Sequence, residues 1–327
     1  MSGSDWRPTA DRAALARRAA MLASARHFLA SRGVLEVDTP VVVNAPVTDV
    51  HIHSAEVRFP GIDTPCFLHT SPEYAMKRLL AAGSGDIFQI CHVVRGMERG
   101  RLHNAEFTLI EWYRLGFSLE ALMEEVRDLS IALLASAERP ASTPPRTEYL
   151  SYRDAFLRER ALDPFAADIG ALRKAALECG FEGAAECEDR DELLDALMAI
   201  RVGPRLGLGS LCFVHRYPAS QAALARLDAA DPRCALRFEL YCEGIELANG
   251  FKELASSAEQ RARFEADQAQ RRARGLPNQP IDERLLAALA AGLPDCAGVA
   301  LGFDRLAMLA SGASHIDAVL PFPIERA

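Results

Sequence analysis

Arg95 to Tyr113, RGMERGRLHNAEFTLIEWY, constrains this chain more than any other stretch. Three arginines and a His-Asn pair fill a loop at 95–104, which runs into an alternating segment at 105–114. Alternation of period two places Phe107, Leu109, Glu111 and Tyr113 on one face of a strand. An aromatic ring, a carboxylate and a phenol pointing the same way suit a stacked base followed, further along, by a bound cation.

Two later stretches belong with it, GIELANGFKEL at 244–254 and GVALGFDRLAML at 298–309. Around them the periodicities predict a helix over about 12–31, a strand at 34–43 interrupted by Pro40, a helix at about 72–82 and a strand at 86–94. A helix at 118–136 leads to the proline-rich RPASTPPRTE at 139–148, a surface connection. From 151 to 231 the pattern is mostly helical and the motifs stop, so this segment reads as an insertion. Strands at 236–241 and 244–249, helices at about 256–274 and 281–291, a strand at 297–302 and a helix from 304 complete the chain. Strands in local runs suggest antiparallel pairing, so the fold class is α+β.

Composition sets outer limits. With 327 residues, half of them apolar, the chain can bury a large core as one big domain or two ordinary ones. A net charge of -8 argues against a nucleic-acid backbone as the main partner. Eight cysteines without a C-x-x-C pair read as reduced thiols of a cytoplasmic protein. The Arg- and Ala-rich segment at 12–26 has a transit-peptide composition, but Leu15, Leu22 and Leu29 recur at heptad spacing and flow into a strand, as in the first helix of a fold. No apolar run approaches the ~20 residues that span a bilayer, so no membrane is expected.

Three clusters carry chemistry. Glu239 and Glu246 flank Cys-Glu-Gly at 242–244, and a hairpin there would bring the two carboxylates together as ligands for Mg²⁺. A solvated hairpin with exposed acids would have the same sequence. Arg305 falls in the first turn of a helix opening after Gly302, where dipole and guanidinium both favour phosphate, although such arginines also occur without a ligand. Arg95 ends the apolar strand IFQICHVV, where its planar fork could hold carboxylate and phosphate oxygens or pair with Glu98 or Glu106. His51 and His53 form an HxH pair without further ligands and read as surface residues.

In their order these motifs resemble the class II aminoacyl-tRNA synthetases: a helix and strand ending at Pro40, Arg95 with the loop His103 to Phe107, then Gly298 to Arg305. SPEYAMKRL at 71–79, HNAEFTLIEWY at 103–113 and GIELANGFKEL at 244–254 are similar to the lysyl subgroup. The resemblance covers nearly the whole chain. It implies a single class II catalytic domain over 1–327, an antiparallel sheet flanked by helices, with a mainly helical insertion at about 151–231. A lysyl-tRNA synthetase would carry an anticodon-binding β-barrel ahead of the first motif, and here the first helix starts near residue 12, so no anticodon-binding domain is expected. In this the chain looks like the elongation factor P lysine ligase family. That family implies ATP and Mg²⁺, activation of (R)-β-lysine, or lysine less well, as the adenylate, transfer to a lysine ε-amino group of elongation factor P, and a homodimer.

Residue by residue, the resemblance implies that Arg95 holds the α-phosphate and the amino-acid carboxylate, with Arg305 on the γ-phosphate. Gly96, Met97, His103, Asn104 and Phe107 fall to the adenine and ribose region, and Leu247 and Gly302 to the nucleotide floor. Glu239 and Glu246 take Mg²⁺. Ser71, Pro72 and Glu73 meet the inner amino group, while Glu111, Tyr113, Asn249 and Glu253 close around the distal ammonium, with Ala300 in the pocket wall. Two departures stand out: Gly96-Met97 where the family usually has Asn and an acid, and Ala300 where lysyl-tRNA synthetases tend to have glycine. A tRNA-charging or free-amine lysine ligase, and a catalytically silent module that binds ATP or amino acid, are the alternatives.

Overall fold

The computed structural model describes residues 6–96, 99–136, 146–160 and 162–327. Met97, and residues 139–145 of the proline-rich connection, lie outside the described residues. Asp11 caps the first helix by accepting the Ala14 amide at 2.7 Å, and helix α1 runs Arg12–Ala30. Strands β1 (Leu35–Glu36), β2 (Val42–Val43), β3 (Glu56–Val57) and β4 (Cys66–Leu68) precede helix α2 (Glu73–Ala81) and strands β5 (Ile87–Val94) and β6 (Glu106–Leu115). Helix α3 (Leu119–Ser136), strand β7 (Arg146–Ser151) and helices α4 (Tyr152–Arg160), α5 (Ile169–Glu178) and α6 (Arg190–Leu197) follow. Strands β8 (Ser210–Pro218), β9 (Cys234–Cys242) and β10 (Ile245–Lys252) lead to helices α7 (Ser257–Ala273) and α8 (Glu283–Gly292), strand β11 (Cys296–Gly302) and helix α9 (Phe303–Ser311).

The chain divides into two units. The first comprises Met1–Phe117, Asp128–Ala141 and Leu254–Ala327, the second Ser118–Arg127 and Ser142–Glu253. In the first unit the strands run in the order β1-β5-β6-β11. β6 pairs antiparallel with both β5 and β11, and β1 lies parallel to β5. Thr108, on one face of β6, meets the first turn of α9 and Arg18 of α1. Its neighbours Phe107, Leu109, Glu111 and Tyr113 occupy the opposite face, as strand geometry requires. The expected strand at 34–43 is two short pieces instead. Pro40 cannot donate to a ladder, so residues 35–36 join β5 while 42–43 join the small antiparallel sheet β2-β4-β3.

The second unit orders its strands β10-β9-β8-β7, with β7 parallel to β8 and the other pairs antiparallel. Antiparallel pairing was expected throughout; each unit has one parallel pair, and the class II sheet is mixed. Parallel neighbours need a crossover. Helices α4, α5 and α6 supply it between β7 and β8, and bury Tyr152, Phe156, Leu172, Leu193 and Leu197 in the core of this unit. The 151–231 segment therefore contains a sheet strand, β8, besides its helices, and residues 146–148 of the expected connection belong to β7. Its long apolar helical runs masked β8, whose parallel partner lies sixty-odd residues away in sequence.

Between β9 and β10 the chain turns on Glu243 and Gly244, both at positive φ (50° and 72°), the pattern of a two-residue hairpin with the twist of its strands. Glycine is required at 244 twice over, since a Cβ there would sit 2.6 Å from the Pro204 carbonyl oxygen.

Candidate active site

In the first unit, Glu111 organises the buried C-terminal part of the sequence motif. Its Oε1 accepts from the Tyr113 hydroxyl and its Oε2 from the Ser71 hydroxyl, each at 2.7 Å. The same Ser71 oxygen accepts the Glu73 amide at 3.0 Å, so SPE at 71–73 fixes the start of α2 against the strand carboxylate. Glu73 itself holds buried Lys77 at 2.6 Å, one helical turn on. Ala300 lies directly opposite Glu111 on β11, and Gln89 opposite it on β5. Glu111, Gln89 and Tyr113 are all buried.

Arg95 leaves β5 with its guanidinium over the Phe107 ring, 5.2 Å from the centroid, and its Nε donates to the Thr70 carbonyl at 3.3 Å. Gly96 donates its amide to the His53 carbonyl at 2.7 Å, and a Cβ at 96 would approach that oxygen to 3.3 Å. His53 thus acts through its backbone, and His51 is exposed. Arg305, third residue of α9 after its cap Gly302, donates through Nη2 to His103 Nε2 at 2.6 Å and through Nε to the Leu102 carbonyl at 3.4 Å. Arginine has only donors, so His103 Nε2 is the acceptor and its proton resides on Nδ1. Asn104 is buried and braces the loop: its amide donates to the Glu106 carbonyl at 2.7 Å and its oxygen accepts from the Ile324 amide at 3.1 Å. Arg99 carries the same tie outward, to Asp317 at 2.8 Å and Glu325 at 2.5 Å.

The second unit carries an acidic face of its own. Register places Glu239 opposite Asn249 and Glu246 opposite Tyr241, with an irregularity between Glu246 and Ala248 that makes Leu247 the extra residue. A bulge shifts strand parity by one. Glu246 and Asn249, three apart, consequently share the face of Glu239 and Tyr241, and the two carboxylates are diagonal rather than directly across. The Glu239 carboxylate is already well held: Tyr217 and Tyr241 each donate to Oε2 at 2.6 Å and Arg237 to Oε1 at 2.5 Å. Burial first, and the Glu239 charge second, push both phenols well above their ordinary range, so they remain donors. Burial opposes the charge on Arg237, but Glu239, Tyr217 and Glu246 hold its pKa above the usual arginine value. Arg237 also reaches Asn249 Oδ1 at 3.2 Å. Glu253, beyond β10 on the same parity, is buried. Among the described residues no three His, Cys, Asp or Glu side chains gather as a metal cage.

Three side chains of consequence escaped the sequence reading. Gln89 lay in an apolar strand with nothing to mark its inward position. Arg18 looked like one of several helix arginines, yet it donates to Asp304 and, at 2.6 Å, to the Thr108 hydroxyl. Arg237 had no motif at all. An arginine in the first turn of a helix, an arginine stacked on an aromatic ring and a carboxylate held by serine and tyrosine are all set on or beside one antiparallel core, β5-β6-β11.

The comparisons agree with that geometry. The family described as tRNA synthetases class II (D, K and N) matches residues 4–326, and the chain belongs to that family. Within it, the elongation factor P--(R)-beta-lysine ligase of Vibrio cholerae serotype O1 is 50% identical over 334 residues, covering 100% of both chains. The elongation factor P--(R)-beta-lysine ligase of Salmonella typhi is 50% identical over 327 residues, covering 98% of each.

Proposed function

We propose that the chain activates (R)-β-lysine, or lysine, with ATP and transfers it to the ε-amino group of one lysine on elongation factor P. Its full-length identity to ligases of that name carries the reading. The amino-acid carboxylate attacks the α-phosphorus and pyrophosphate leaves. The acceptor amine then attacks the acyl carbon of the adenylate, an amide forms, and AMP departs. Neither step needs a protein nucleophile, so the chain works by position and charge. Arg95 binds the α-phosphate and substrate carboxylate, its plane already set by Phe107. Arg305, oriented by His103, takes the terminal phosphate. Glu111, with Tyr113, holds the distal ammonium, because a buried ammonium needs opposite charge and full hydrogen bonding.

Glu239 and Glu246 fit Mg²⁺ as a two-carboxylate set, the number this ion commonly takes while water and phosphate complete its octahedron. Three donors occupy Glu239, and a carboxylate has about four lone-pair sites, which leaves room for one bond to a cation. When bound, the ion would neutralise charge on the phosphates. Gly302, capping α9 beside Arg305, shapes the nucleotide floor.

A homodimer is part of the reading; the resemblance puts its two-fold contact on the helix at 12–31, with apolar residues buried between subunits, and on the strand through Pro40, and the helix part needs revision. The apolar side chains Met21, Phe28 and Leu29 of α1 are buried within the chain itself. Leu35, Val41, Phe59 and Ile62, on and around the small sheet and β1, are the exposed apolar groups nearest the first motif, and we assign the two-fold contact to them. Eight free cysteines suit the cytoplasm, and among the described residues no helix is long and apolar enough to cross a membrane. The test is radiolabelled (R)-β-lysine or lysine with ATP, Mg²⁺ and either elongation factor P or bulk tRNA. Label in the protein and none in tRNA is expected. Label in tRNA alone, or ATP binding with no pyrophosphate exchange, would replace this reading with tRNA charging or a silent module.

A further inference from the structure

Gln89 is 2% exposed, and among the described residues the Cys91 thiol, a weak partner, is the one hydrogen-bonding group its carboxamide meets. Native interiors rarely leave a carboxamide so poorly satisfied, and such a group asks for an explanation. Its place in the sheet supplies one. The ladder aligns Gln89 on β5, Glu111 on β6 and Ala300 on β11 in one row across three neighbouring strands. Side chains in such a row project from the same face, the face on which Ser71 and Tyr113 hold Glu111. The next inward position on β5 is Cys91, whose thiol is pushed up to about 12 by burial first and the Glu111 charge second, with a hydrogen bond to the Gln89 side chain acting against the rise. The surroundings are therefore dry and negative, and a thiol is only a weak partner for an amide.

We propose that Gln89 is a specificity-determining residue for the diamino acid: its Oε1 accepts an N–H of the distal ammonium that Glu111 also holds. This rests on the reading of the substrate given above. A primary ammonium has three donors, and Glu111 already spends both oxygens on Ser71 and Tyr113, so a neutral acceptor beside it completes the shell. A carboxamide adds the acceptor without a second charge. Two carboxylates at directly opposed positions would repel each other, and one would take up a proton. The hydrogen-bonding capacity that the weak Cys91 thiol leaves unused on Gln89 is thus an adaptation to a ligand at the expense of the fold.

The experiment compares wild type, Gln89→Met, Gln89→Leu and Gln89→Glu in ATP–pyrophosphate exchange with (R)-β-lysine and with lysine, alongside thermal melts with and without the amino acid. Gln89→Met and Gln89→Leu should raise KM for the diamino acid on the order of 10- to 100-fold, the loss expected for a hydrogen bond to a charged group, with KM for ATP unchanged. Their melting temperatures without ligand should equal or exceed that of wild type, because a poorly satisfied amide has been replaced by an apolar group, and the shift on adding amino acid should shrink. Gln89→Glu keeps an acceptor and should bind within a few-fold of wild type, with a KM that becomes dependent on pH. A KM within twofold of wild type in both apolar variants overturns the proposal. So does a parallel rise in both KM values with a lower melting temperature, which would mark Gln89 as structural. Wild type that exchanges with neither isomer would instead overturn the substrate reading, and the proposal with it.

Discussion

Replacing Arg18 by Met tests how the motifs are held in register. Asp304, immediately before Arg305, is buried and accepts the Thr108 amide at 2.6 Å and a charged bond from Arg18. Arg18 also donates to the Thr108 hydroxyl and lies over the Phe303 ring, 4.8 Å from its centroid. Methionine keeps much of the apolar stem against Phe303 and removes only the charged fork. Asp304 then remains buried with its amide bond but no counter-charge, a change that costs about 3–5 kcal/mol when one member of a buried pair is deleted. At about 2–4 °C per kcal/mol for a unit of this size, the melting temperature should fall by roughly 6–20 °C. Urea unfolding at constant m reads the free energy, and exchange kinetics should show KM for ATP rising, since the first turn of α9 loses its anchor. Adding Asp304→Asn removes the stranded charge, so the double variant should be less destabilised than the sum of the singles by about 1–3 kcal/mol. A melting temperature within 2 °C of wild type, or strictly additive variants, would refute the reasoning.

Arg95→Ala and Arg305→Ala should each lose on the order of 10²-fold or more in pyrophosphate exchange, and near-normal rates would remove these arginines from the phosphate site. Ala300→Gly deletes one methyl opposite Glu111 and should move the (R)-β-lysine to lysine ratio of kcat/KM toward lysine by about 10- to 200-fold; an unchanged ratio would mean this wall does not choose the isomer. Gly244→Ala combines a positive φ with a 2.6 Å approach to backbone and should destabilise by about 2–4 kcal/mol in urea titration, whereas a loss below ~1 kcal/mol would contradict the hairpin geometry. Burial lowers the pKa of His69 and of His215 below the ordinary 6.5, in His69 against a raising bond to the His92 carbonyl and in His215 with help from the Arg216 charge. The unfolded chain therefore binds more protons beneath that value, so stability is full above about pH 6.5 and declines as pH falls. Urea midpoints at pH 8 and 5.5 check the sign, and an equal or higher midpoint at 5.5 would reverse it.

Helix and strand positions around the motifs were legible because local pattern and site chemistry coincide there. Alternation put Glu111 and Tyr113 on one face, and their shared hydrogen bond confirms the parity. Failure came where distant segments decide. β8 is a strand because β7 and β9 flank it, and no local signal separates it from the helices before it. The turn falls on Glu243 and Gly244, one place later than strands at 236–241 and 244–249 imply, so Glu246 pairs with Tyr241 and not with Glu239; the extra residue Leu247, invisible to a period-two reading, then sets Asn249 opposite Glu239. Asn104 also braces the backbone at Glu106 and Ile324 through its side chain, contacts that its motif does not announce. Motifs name residue types, and partners two hundred positions away decide what each side chain is free to do.

The first unit is drawn from three separated stretches of chain, and during synthesis these leave the ribosome at different times. β6 ends at Leu115, but its partner β11 closes only at Gly302, roughly 190 residues later. At ~5–20 residues per second the interval is about 10–40 s. Throughout it one edge of the strand bearing Glu111 and Tyr113 has unpaired amides and carbonyls, a template for any other extended segment. The second unit, ending at Glu253, is complete well before that edge is covered. A chaperone that binds nascent chains therefore has a defined window in which to act, opening near residue 115 and closing when β11 emerges.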